Sequence, residues 1–169
     1  MSIAQAALSL VAVNPIVWRA DWRWGVPIIV STILIHVFGL SVIYQKAARV
    51  SSKLTRHRHT TIVFMVLMGT ATLSATALLA VESGIWAVAY LLLGALPNGK
   101  SAMLYSLSAI TSYGHANLIL EDRWQLMGAI EALNGVLLFG LTTAFLFAMI
   151  QRIWLSASDS VSVRLPPSE

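Results

Sequence analysis

Residues 61–81 run for 21 positions without a charged side chain. At about 1.5 Å of rise per residue, a helix of that length matches a hydrocarbon core about 30 Å thick. Two further runs are built the same way. Residues 27–44 are 18 mostly apolar positions broken by one imidazole, His36, and residues 124–150 are 27 positions with one carboxyl, Glu131. Charged residues make up 11% of the chain, where a soluble domain averages about 25%. The expectation is an all-α membrane protein with three transmembrane helices.

The remaining segments are too short to span. Residues 2–13 are small and apolar, with Ser2, Gln5 and Ser9 on one mildly polar face, which predicts an N-terminal interfacial helix. This end lacks the basic start of a signal peptide, so it is expected to stay in the mature protein. Pro15 is expected to end or bend the helix. Trp18, Trp22 and Trp24, mixed with Arg19, Asp21 and Arg23, read as an interfacial belt.

Residues 45–59 form a basic loop carrying Lys46, Arg49, Lys53, Arg56 and Arg58. Such a loop belongs in the cytoplasm and contacts anionic lipid more naturally than nucleic acid. The N-terminus and residues 111–122 then fall outside, and the chain returns to the cytoplasm at Gln151. Trp86 and Trp124 are expected at the outer interface and Trp154 at the inner one. His57 and His59 flank Arg58, a spacing open to a metal pair but more usual in a solvated loop. His36 lies mid-span without an obvious metal partner in sequence, and an interhelical hydrogen bond suits it better than a ligand role. The absence of cysteine excludes disulfides and thiolate metal sites.

Glu82-Ser83-Gly84 is expected to interrupt the second span, leaving residues 85–96 as a short surface helix. Pro97-Asn98-Gly99 reads as a turn, residues 101–110 as a short helix, and residues 155–169 as a disordered Ser/Pro-rich tail. The organisation expected is 1–24 (interfacial helix and belt), 25–60 (first span and basic loop), 61–154 (pore domain) and 155–169 (tail).

Between the short helix and the third span lies Thr111-Ser112-Tyr113-Gly114-His115-Ala116-Asn117. It resembles the potassium-channel filter Thr-Val-Gly-Tyr-Gly-Asp, preceded by one more threonine. On the third span, Gly135 and Gly140 are followed by Leu141-Thr142-Thr143-Ala144, a pattern similar to that family's inner helix. Together these stretches resemble the pore domain of prokaryotic potassium channels. The resemblance implies a re-entrant pore helix and filter loop and a homotetramer in the bacterial inner membrane. It also implies monovalent cations, potassium or sodium, as permeant ions, with no other cofactor.

Carried over position by position, Thr111 holds the first threonine and Ser112 the second, whose hydroxyl lines the innermost ion site. Tyr113 replaces valine, Gly114 keeps the glycine, His115 stands for tyrosine, Ala116 for the second glycine and Asn117 for aspartate. A carbonyl-lined filter alternates right- and left-handed backbone, which glycine adopts at no steric cost. Alanine there costs roughly 1 kcal/mol or more, and Asn117 removes a charge that Glu121 and Asp122 restore in part. Relaxed selectivity is expected. The resemblance makes Val136, Phe139, Thr143 and Phe147 cavity-lining, although bundle packing predicts the same stripe. Gly135 and Gly140 are either gating hinges or sites of close helix packing. Glu131, with Asn134 at i+3, is either a brace behind the loop or a partly solvated or protonated glutamate near the outer surface.

No nucleophile–base pair, nucleotide loop, inverted repeat or arginine ladder accompanies these features, so an enzyme, a transporter or a voltage sensor is not expected. The competing reading is a non-conducting membrane protein that keeps the channel fold as a structural or sensor subunit.

Overall fold

Helix α1 spans Pro15–Leu54, α2 Thr60–Leu92, α3 Gly99–Ile110 and α4 Gln125–Ser162, with a 3-10 turn at Asp122–Trp124. These elements come from a computed structural model that describes residues 15–54, 60–114 and 117–162, and side-chain surroundings for 19–50, 61–114 and 117–152. No strand occurs among the described residues. Three segments, Arg19–Val50, Thr61–Leu92 and Asp122–Arg152, are long and apolar enough to cross a membrane.

The helices are longer than their apolar runs suggest. Pro15 does not end a helix but begins α1, in the first turn, where its missing N–H is not needed. The tryptophan–arginine cluster occupies the opening turns of α1, and Pro27 lies inside the helix. Tertiary contacts hold this start. Asp21 is buried, beside the Met127 backbone in the first turn of α4. Gly25 lies so close to Ile130 that a Cβ would stand 3.2 Å from its side chain. At the other end, Lys46, Arg49 and Lys53 belong to α1 rather than to a loop. The proposed interfacial helix 2–13 and the basic residues Arg56, His57, Arg58 and His59 lie outside the described residues.

Glu82-Ser83-Gly84 does not interrupt α2. A charged residue beside Ser and Gly reads as a breaker, but the Glu82 carboxylate is met by His36, so it is buried without breaking the helix. Residues 85–92 are consequently the end of α2, not a surface helix. The helix stops at Gly94 (φ 65°), where Gly94 N–H bonds Leu91 and Ala95 N–H bonds Tyr90. That is the left-handed cap which glycine favours. The expected tail is also helical as far as Ser162; residues 163–169 lie outside the described residues.

The chain divides into two units, Met1–Ile33 with Ser83–Val136, and Leu34–Glu82 with Leu137–Glu169. In the first, Trp86, Tyr90, Ala102, Leu120, Trp124, Met127 and Ile130 form a buried apolar cluster. Trp86 and Trp124 are thus core residues of this unit. Tyr90 packs edge-on against Tyr105 with ring centroids 5.4 Å apart. In the second unit the buried apolar residues are Leu40, Leu67, Ala71, Ala75, Leu138 and Met149. They recur at helical spacing with His36, Glu82 and Thr142.

Candidate pore-loop site

The short helix α3 is closed at both ends by its own sequence. Asn98, expected in a turn, is the N-cap: its Oδ1 accepts the Ser101 N–H at 2.9 Å. At the other end Ser112 N–H bonds Ala109 at 2.9 Å and Tyr113 N–H bonds Ser108 at 2.9 Å. This is the same left-handed cap as at Gly94, with Ser112 (φ 55°) in the glycine position. Gly114 also has positive φ, 75°, while Tyr113 between them does not and Thr111 is right-handed at −87°. Left-handed backbone therefore recurs at alternate residues across Ser112–Gly114. The sequence assigned that conformation to glycine alone; a serine takes it because two backbone hydrogen bonds of the cap hold it there.

The described side chains at 111–113 and 117 are exposed. Tyr113 is 83% exposed, and Ser112 and Asn117 are exposed. Thr111 turns back, its hydroxyl donating to Leu107 at 2.6 Å. His115 and Ala116 lie outside the described residues. Behind the loop is a cavity of about 390 Å³, lined by Tyr105, Ser108, Ser112, Gly114, Leu120 and Gly128 among others. The tyrosine ring does not fill it. Glu121 is paired with Arg123 at 2.9 Å, and Asp122 accepts from Gln125 at 2.9 Å. The charge of Glu121 is therefore offset locally.

Glu131 is fully buried. Its Oε1 meets the Ser106 hydroxyl on α3, and its Oε2 accepts from Tyr90 on α2 at 2.6 Å. Ser106 in turn donates to the Ser83 carbonyl at 2.7 Å. The carboxyl thus joins α4 to α2 and α3, one turn before the loop. Asn134 does not share this role. Its amide donates to Thr32 on α1 at 2.9 Å, so it fixes α1 rather than the loop. Gly135 is a packing glycine: a Cβ there would overlap the carbonyl of Ile110, the last residue of α3. Gly140 has open space around it. Val136, Phe139, Thr143 and Phe147 all face away from the chain's own core, with Val136 58%, Phe139 67% and Phe147 60% exposed.

In the second unit His36 has two partners. Nδ1 lies 2.9 Å from Glu82 Oε1, and Nε2 lies 2.9 Å from Thr142 Oγ1. Near the end of α1, Arg152 stacks over Tyr44 at 5.1 Å. Sequence reasoning missed Asp21, Thr32, Glu82, Tyr90, Ser106 and Thr142. A signal existed: each lies on the stripe of its helix that repeats every three or four residues with the buried apolar positions.

No protein-family model, curated protein or solved structure matches this chain.

Proposed function

We propose that the chain is one subunit of a homotetrameric pore-loop channel that conducts monovalent cations on the potassium-channel plan, with relaxed selectivity. The observation that carries this reading is the alternation of backbone hand at Thr111–Gly114 directly after a short, capped helix. Alternation turns successive carbonyls to one side, the arrangement that replaces the water around an ion. The short helix cannot cross a membrane, and irregular backbone at membrane depth must be enclosed by protein. Four copies enclose it. The exposed positions Val136, Phe139, Thr143 and Phe147 then line the pore cavity, and Gly140, unlike Gly135, is free to serve as a hinge.

In this reading Ser112 keeps the hydroxyl of the innermost site, potassium or sodium ions pass the loop, and Ala116 and Asn117 weaken the outer half. The protein sits in a bacterial inner membrane with the N-terminus outside and the C-terminus in the cytoplasm. One observation favours the second reading, a non-conducting protein retaining the fold. The cap at Ser112 gives the first left-handed residue a local cause unrelated to ions.

Reconstitution into planar bilayers separates the two. The expected result is a cation current whose reversal potential barely shifts between potassium and sodium. A strong shift towards the potassium potential would defeat relaxed selectivity. No current, from protein shown to be tetrameric, would favour the non-conducting fold.

A further inference from the structure

The contacts around Glu131 require one more hydrogen than its neighbours can provide. Ser106 Oγ lies 2.7 Å from the Ser83 carbonyl and also meets Glu131 Oε1, while Tyr90 Oη lies 2.6 Å from Glu131 Oε2. Three contacts need three hydrogens. A carbonyl only accepts, so the Ser106 hydrogen goes to Ser83. The Tyr90 hydrogen goes to Oε2. The Ser106–Glu131 contact is then complete only if the carboxyl donates.

We infer that Glu131 is a neutral carboxylic acid donating to Ser106, so that the junction of α2, α3 and α4 is a proton-dependent clamp. Its surroundings agree. The titratable groups that face it are Tyr90 from α2 and Tyr105 from α3, and Asp21 on α1 lies near Tyr90. None is cationic, and the ion pairs described around other carboxylates join His36 to Glu82 and Arg123 to Glu121. Among the described residues, a buried anion here would have no countercharge.

Loss of the proton changes the wiring in a defined way. A carboxylate accepts a charge-assisted bond in preference to a neutral carbonyl. The Ser106 hydroxyl then turns from Ser83 to Glu131, and the link between α3 and the Ser83 backbone of α2 is broken. Raising the pH therefore loosens α3, whether or not the chain conducts.

The test uses the full chain in lipid vesicles. Infrared difference spectra at neutral pH are expected to contain a deuterium-sensitive carboxylic-acid C=O band that disappears in Glu131→Gln and shifts in Ser106→Ala. Glutamine reproduces the donor to Ser106 and the acceptor for Tyr90. This variant is expected to melt within about 4 °C of the unsubstituted protein. Its melting temperature should stay level as pH is raised, while that of the unsubstituted protein falls. Absence of the band, or a band that neither substitution alters, would overturn the inference. Should Glu131→Gln not fold, the band shift in Ser106→Ala decides by itself. None of these readouts is a current, so failure of the channel reading and failure of this inference are distinguishable.

Discussion

The imidazole of His36 on α1 places Nδ1 2.9 Å from Oε1 and 3.1 Å from Oε2 of Glu82 on α2, and both side chains are fully buried. The other ring nitrogen meets Thr142 on α4. One side chain thereby joins all three long helices. A hydroxyl can donate or accept, so Thr142 satisfies Nε2 whichever protonation state the ring adopts.

Removing one partner of this pair leaves the other buried and uncompensated. Glu82→Leu or His36→Leu alone is expected to destabilise by about 3–5 kcal/mol. Replacing both with apolar residues of similar volume should recover most of that loss. Melting of the four proteins in detergent closes the cycle. Additive losses would show that the two side chains do not act as a pair.

The two glycines of α4 should respond oppositely to a methyl group. Gly135→Ala drives a Cβ into the Ile110 backbone, and overpacking of this kind costs about 1–3 kcal/mol. Gly140→Ala meets nothing within 4 Å and should stabilise the helix by up to about 1 kcal/mol. Thermal unfolding measures both. Equal tolerance would mean that α3 does not approach α4 as closely as the structure has it.

The ends of α3 give a matched pair of tests. Asn98→Ala removes the cap on Ser101 N–H and should cost about 1 kcal/mol. Ser112→Gly relieves a left-handed residue with a side chain and should stabilise by roughly 1 kcal/mol. Chemical denaturation in mixed micelles reads both changes. A destabilised Ser112→Gly protein would mean that the serine side chain makes a contact worth more than the backbone strain.

Asp21 is buried beside the first turn of α4, where an anion complements the helix N-terminus. Asp21→Ala should therefore destabilise by about 0.5–2 kcal/mol. Hydrogen exchange localises the effect: the Met127 amide should lose protection first. Unchanged exchange at Met127 would remove Asp21 from this role.

The apolar runs made the spans legible, and Pro97-Asn98-Gly99 with its following short apolar segment made α3 legible. Helix ends were not. Glu82 looked like a breaker because its partner, His36, lies 46 positions earlier. Asp21 looked like a surface charge because Met127 lies in another helix. Of the candidate site, the sequence marked the loop and Glu131, but not the residues that hold Glu131.

Hydropathy is a local property, since each apolar side chain leaves water whatever its neighbours are. It was enough to determine three helices of membrane-crossing length and one too short to cross. Hydrogen-bond partnership is not local. Whether His36, Glu82, Glu131 or Asn134 is tolerated inside such a helix depends on a donor or acceptor delivered by a different helix. Only the tertiary structure decided that Glu131 ties α4 to α2 and α3, that Asn134 reaches Thr32 instead, and that Ser112 takes a backbone conformation usually left to glycine.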